Sequence, residues 1–590
     1  MDPCQTFTDL LAKGQHLFAS LSEMPQFSGD AFINRCSACL ETYYTLWKLQ
    51  QSERQALDNN NLLPRSVIGD IASRLAQLFY HRYVRTTDPR HLLHAYTFFA
   101  AIHSQKYYSN IPKDPTTITR VFRYYTRFIA VCLLRCTEKQ IVMDLTATLT
   151  SLISTYSSVL SPCTLVEWNS LLHEINHFID SLFPPNLDSS ARLFDNRITS
   201  HWVTNSLPYS TIASRRPSLS YCLSPLSNNY ITDSPQQPTP VMTHSFPKLS
   251  EQSKRHGRGL KMGEVVVVGN KSQARFSELT VDMLRVMTCV ERSDYGMTID
   301  DHVIDFDSFR STMSTPRHLL YKPSVGSLLS GISNVTSTLS TSRYLLVYLS
   351  ADGLDAEKGS INQPMGLKMT CENNPRAERF NSQCLPLDGL YPFDLFSFTR
   401  NHLFLVIDSP NAFLFQTLEP KFDSMLMLLL SPKVVHPLLE PLNVQDSVFT
   451  LFITSPALAY LRVFDENGEG IDNNCLHSID CCISSALGDV SKNMCQYCDP
   501  DDVLVSFFDD EILRILVLRA ILFRQLIVKL NKGVVADEYL PIIKPSVPQR
   551  IFELNLWDEL FDELSLFLNQ NQFDCNQFDC ELQFDGIDDL

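Results

Sequence analysis

Two aspartates stand where an α/β protein places its chemistry. Asp352 follows the apolar run YLLVYL (344–349), and Asp408 closes LFLVI (403–407). Ligands of parallel sheets bind at the carboxyl ends of strands, and a carboxylate there can help hold a divalent cation, which takes oxygen ligands. Pro410 and Ala412, however, fill the positions that a D-x-S-x-S metal motif gives to hydroxyls. The expectation is therefore that Asp408 caps the next helix through a side-chain oxygen. A metal-dependent α/β enzyme using Asp352 and Asp408 is the alternative.

Cys475, His477, Cys481, Cys482, Cys495 and Cys498 are the densest group of soft ligands. Zinc sites of this kind pair two C-x-x-C motifs; here Cys495-x-x-Cys498 stands alone, so thiols without a metal are expected. A phosphate cradle needs glycines directly after a strand. Gly257, Gly259 and Gly263 precede VVVV (265–268) and only Gly269 follows it, so the order is wrong for a nucleotide. No G-x-S-x-G, H-E-x-x-H or kinase set occurs. No catalytic residue, metal ligand or cofactor is assigned.

Other signals point to regulation. Ser218 follows Arg215-Arg216-Pro217 in the manner of a basophilic kinase site, and Ser224, Ser234 and Thr239 each precede proline. Phosphate at any of these four candidates would add about −1.5 to −2 charge. Lys254, Arg255, Arg258 and Lys261 form a candidate nuclear-import patch; a solvated basic loop is the alternative.

Four segments must carry these residues. Residues 1–190 repeat apolar positions at three and four, as in Ile71, Leu75, Leu78 and Phe79. Within 71–102, a break at Thr87-Asp88-Pro89 separates two helices. Small Ala76 and Ala95 and bulky Tyr80 and Phe98 then suit a tetratricopeptide-like hairpin; a plain helical bundle is the alternative. Residues 191–262 are a Ser/Pro-rich linker that cannot bury enough apolar surface to offset chain entropy. Residues 263–568 bring continuous apolar runs (265–268, 344–349, 403–407, 425–430), which suit strands covered on both faces. Single helices are expected over 276–290, 448–461, 503–530 and 551–568. Residues 569–590, with NQFDC at 571–575 and again at 576–580, are an acidic low-complexity tail. The fold class is α plus α/β: a helical platform, then a mostly parallel sheet with C-terminal helices.

Length and charge agree. The 590 residues, 44% hydrophobic and 19% charged, allow several domains. Ten acids and no Lys or Arg between Trp557 and Leu590 carry most of the net charge of −16, leaving −6 on the first 556 residues. This balance opposes direct nucleic-acid binding, which draws on Lys and Arg. The seventeen cysteines and the acid-bearing start, MDPCQTFTDLLAKG, suggest a reducing compartment. No apolar run reaches the length of a membrane span.

Together, LWKLQQSERQALDN (46–59), IASRLAQLFYHRYVRT (71–86), YYTRFIAVCLL (124–134), RFSELTVDM (275–283), HLLYKPS (318–324), LLVYLSADG (345–353), DGLYPF (388–393), LFLVIDSPNA (403–412) and SVFTLFITSPALAYL (447–461) resemble the SCAI (suppressor of cancer cell invasion) family. The resemblance runs in order from near residue 8 to about 530. The 199–262 insert, the stretch near 292–316 and the NQFDC tail fit it poorly. It implies a non-enzymatic corepressor of the myocardin-related transcription factor and serum response factor complex. That role lies downstream of Rho and formin signalling and affects cell migration. It also implies a nuclear and cytoplasmic location, and DNA-repair proteins as further partners. A chromatin-associated repair and replication-protection cofactor is the second reading.

Overall fold

The computed structural model describes residues 3–22, 24, 29–59, 64–86, 89–108, 113–135, 139–182, 260–273, 275–276, 278–290, 317–354, 365–370, 389–444, 447–464, 473–498, 503–508, 510–531 and 535–570. They fall into two compact units, one up to Val166 and the other from Glu167 onward.

The first unit is helical: α1 (Pro3–Ser22), α2 (Gly29–Ser52), α3 (Arg54–Asn59), α4 (Arg65–Thr86), α5 (Pro89–Ser104), α6 (Pro115–Arg135) and α7 (Lys139–Tyr156). The division between units falls within α8 (Pro162–Leu182). Helix α4 ends at Thr86 and α5 begins at Pro89, a residue that disfavours helix in the position before it. Ala76 and Ala95 are fully buried between closely packed helices. An aromatic cluster fills the centre, where Phe99 meets Tyr124 and Phe128 at ring distances of 5.8 Å. Apolar residues at helical spacing along α6, among them Ile118, Val121, Phe122, Phe128 and Ile129, supply one wall of this core.

The second unit is built on a six-stranded sheet: β1 (Lys261–Asn270), β2 (Arg317–Tyr321), β3 (Arg343–Ala351), β4 (Leu403–Asp408), β5 (Leu426–Leu430) and β6 (Ile542–Lys544). Its spatial order is β2-β1-β3-β4-β5-β6. The first five strands are parallel and β6 is antiparallel to β5. Val265–Val268 and Leu428–Leu430 are wholly buried, as both-face coverage demands. The order reverses between β1 and β3, which makes their carboxyl ends the switch point of the sheet.

Helices α9 (Val281–Cys289) and α10 (Val325–Thr338) follow β1 and β2. After the short α11 (Pro392–Leu395) and β5 come α12 (Val448–Thr454), α13 (Pro456–Phe464), α14 (Asn473–Tyr497), α15 (Val503–Phe508) and α16 (Glu511–Leu530). Helices α17 (Gln549–Phe552) and α18 (Leu556–Gln570) follow β6.

Several expected helices are shorter or divided. Arg275–Phe276 and Leu279–Thr280 form a two-strand ladder, and α9 begins only after Thr280, whose hydroxyl accepts from Met283 N–H. The 448–461 stretch is two helices meeting at Ser455, because Pro456 offers no N–H and crowds the preceding turn. The 503–530 stretch divides at Asp510. One carboxylate oxygen there accepts from Ile512 N–H at 3.0 Å and the other from Met262 N–H of β1 at 3.2 Å. A helix start that also anchors a strand wins over continuous helix. The 551–568 stretch divides likewise into α17 and α18.

Candidate functional site

The switch point gathers polar residues from five elements. Gly269, the last small residue of β1, lets α9 lie close: a Cβ there would collide with Met283 and Thr280. The glycine that could have served a phosphate serves helix packing instead. Two residues on, Lys271 reaches across to β4, and its Nζ lies 2.9 Å from Asp408 Oδ1. The two side chains are 15% and 4% exposed, so this is a largely desolvated ion pair.

Asp408 is also bound from above the sheet. Thr450 Oγ1, in the first turn of α12, donates to Asp408 Oδ2 at 2.6 Å. With the threonine proton committed there, the Tyr348 hydroxyl donates to Thr450 at 2.7 Å. The expected capping role of Asp408 is thus corrected. The short 3-10 turn Ala412–Thr417 carries no side-chain cap. A desolvated ammonium at 2.9 Å is a strong partner for a buried carboxylate, and the Ala412 and Leu414 amides are already bonded within the turn.

Asp282, in the first turn of α9, is wholly buried. It accepts from Gln273 Nε2 at 2.7 Å, Ser350 Oγ at 3.3 Å and Ser447 N–H at 3.4 Å. An anion would be favoured at this helix start, and the chain supplies its own. Asp352 accepts from Ser272 N–H at 3.0 Å.

The electrostatics hold Lys271 charged and Tyr348 neutral. Burial works against the charge on Lys271, but Asp408, Asp282 and Asp352 together outweigh it and hold its pKa above the ordinary value. It is an ammonium at neutral pH and not a nucleophilic amine. Burial, reinforced by Asp282 and Asp408, raises the Tyr348 phenol well above its usual range. A cavity of about 10 Å³ borders Tyr348, with Cys289, Leu346, Val406 and Leu516 among its walls. That is room for about one water.

The other sequence candidates disperse. Ser218, Ser224, Ser234, Thr239, Lys254, Arg255 and Arg258 lie outside the described residues, as does the 571–590 tail. Lys261 opens β1, exposed, with its N–H on Ser342 O at 3.4 Å. Of the thiol cluster, the side chains of Cys475 and His477 lie outside the described residues. Cys481 is exposed and Cys498 buried. Burial, with Glu563 second, pushes Cys482 up to about 12, opposing the thiolate that zinc requires. Among the described residues, no group of three or more His, Cys, Asp or Glu gathers as a metal site. No described helix is long and apolar enough to cross a membrane.

Asp352 and Asp408 were visible in the sequence; Lys271, Asp282, Ser350 and Thr450 were not. The usable signal was the lone acid in the apolar run LTVDMLRVM, which puts a carboxylate on a buried helical turn.

With this geometry in place, comparisons with known proteins are informative. A family model described as Protein SCAI matches residues 9–533. Protein SCAI of Mus musculus is 29% identical over 567 residues, covering 92% of this chain and 85% of the relative. Protein SCAI of Homo sapiens is 28% identical over 570 residues, with the same coverages. The Protein SCAI homolog of Dictyostelium discoideum is 23% identical over 681 residues, covering 88% and 84%. These names state no reaction.

Proposed function

Because this chain belongs to the SCAI family, we propose that it is a non-enzymatic transcriptional corepressor and scaffold. It restrains transcription by the myocardin-related transcription factor and serum response factor complex, downstream of Rho and formin signalling, and so limits cell migration. It works in the nucleus and the cytoplasm.

One observation carries the non-enzymatic part of this reading. Where a doubly wound sheet admits a ligand, Lys271 and Asp408 have closed on each other at 2.9 Å, and Asp282 fills the anion position at the start of α9. A pair of charges already neutralised and desolvated has little left to offer a substrate. Membership of the SCAI family supports the corepressor part.

Pull-down with a myocardin-related factor, joined to a serum-response reporter in cells depleted of the protein, tests the reading. Capture together with a raised reporter signal on depletion is expected. No capture and an unchanged reporter would reject the corepressor role.

A further inference from the structure

Helix α18 lies on the second unit as a peptide lies in a groove. Trp557, Leu560, Phe561, Leu564 and Leu568 recur at i, i+3, i+4, i+7 and i+11 and are all buried. This is the anchor pattern of an amphipathic helix in an apolar groove. The helix packs against α14, which buries Ile479, Ile483, Leu487, Val490 and Met494 at matching spacing. The end of α16 forms the rim.

Trp557 Nε1 donates to Ile551 O of α17 at 2.7 Å in the core, whereas the polar ties of α18 to α14 and α16 are peripheral. Lys529 of α16 reaches Asp558 at 2.9 Å and Asp562 at 3.7 Å, and those carboxylates are 74% and 78% exposed. The Cys482 thiol donates to Glu563 at 3.3 Å. Ion pairs this exposed add little. The chain just before the helix is fastened separately. Gln525 Nε2 donates to Phe552 O at 2.8 Å, Arg524 lies over the Phe552 ring at 4.9 Å, and β6 sits in the sheet ladder. β6 and α17 thus have ties that do not pass through the α18 anchors after Trp557, although Trp557 itself bonds α17. Both α14 and α16 lie within the 9–533 family match, and α18 lies beyond it.

We propose that α14 and α16 form a helix-docking groove that α18 occupies in cis, and that an amphipathic partner helix displaces it. The partner carries aromatic and leucine anchors at the same spacing. It also carries carboxylates four residues apart on its outer side, which meet Lys529 as Asp558 and Asp562 do. The inference rests on the scaffold reading and names one surface of that scaffold.

The test uses the full chain and a fluorescent synthetic peptide of residues 556–570. In Leu564→Asp, hydrogen exchange is expected to lose protection over 556–570 while β1, β3 and β4 keep theirs. Peptide affinity should rise about tenfold or more over the wild type, whose own helix competes at high effective concentration. A peptide carrying the same Leu564→Asp change should not bind. Lys529→Glu alters only the rim and cannot empty the core. Because its ion pairs are exposed, it should change exchange over 556–570 by no more than about twofold. If Leu564→Asp binds the peptide no better than wild type, or if 556–570 exchanges only together with α16, the groove is ordinary core and the proposal is overturned. The reporter assay is independent of either result.

Discussion

Lys271 and Asp408, 137 positions apart in the chain, meet at 2.9 Å at the carboxyl edge of the sheet. Removing one partner from such a pair leaves an uncompensated buried charge. Lys271→Met is expected to lower unfolding stability by about 3–5 kcal/mol, read by urea denaturation. The double variant Lys271→Met/Asp408→Asn should recover much of that loss. A single variant within about 1 kcal/mol of wild type would show that water reaches the pair.

The pH dependence has a definite sign. The folded pKa of Lys271 is raised above its unfolded value. Its contribution is therefore fully present below the ordinary lysine pKa of about 10.4, and it is lost only as pH rises through the higher folded value. The stability difference between wild type and Lys271→Met should be the same at pH 7 and pH 9. A decline between those values in denaturation curves would contradict the geometry.

Arg519 closes the end of a helix that proline interrupts. Its Nη1 donates to Ile453 O at 3.1 Å and Thr454 O at 2.8 Å, two carbonyls freed at the α12–α13 break. Arg519→Met is expected to cost about 1.5–3 kcal/mol, the range for hydrogen bonds to a charged group. Arg519→Lys should retain part of it. Equilibrium denaturation of both variants checks the order.

Thiol reactivity should follow burial. Desolvation pushes Cys36 up to about 11 and Cys39 up to about 12, and Cys289 is also raised by burial. Cys163 is exposed. Brief iodoacetamide treatment of the native protein at pH 7.5, followed by mass spectrometry, should label Cys163 and leave Cys36, Cys39 and Cys289 for the unfolded state. Early labelling of Cys36 or Cys39 would mean that the α2 core opens readily.

The sequence determined what local pattern can determine. Uninterrupted apolar runs at 265–268, 344–349, 403–407 and 425–430 marked strands buried on both faces, and each supplies a strand of the sheet, the last from Leu426. Three- and four-residue spacing marked the helices, and Asp-Pro at 88–89 marked the break between α4 and α5. Each is fixed by neighbours within about a turn. The tertiary structure alone decided the strand order, the antiparallel β6 and the end of α15 before Asp510, whose carboxylate answers an amide 248 positions away. It also decided the role of Asp408. A carboxylate at a strand end can bind a metal, cap a helix or pair with a cation, and local sequence does not distinguish these. The choice fell to Lys271 and Thr450, brought in by distant segments, because a desolvated charge must take whatever counter-charge the fold delivers.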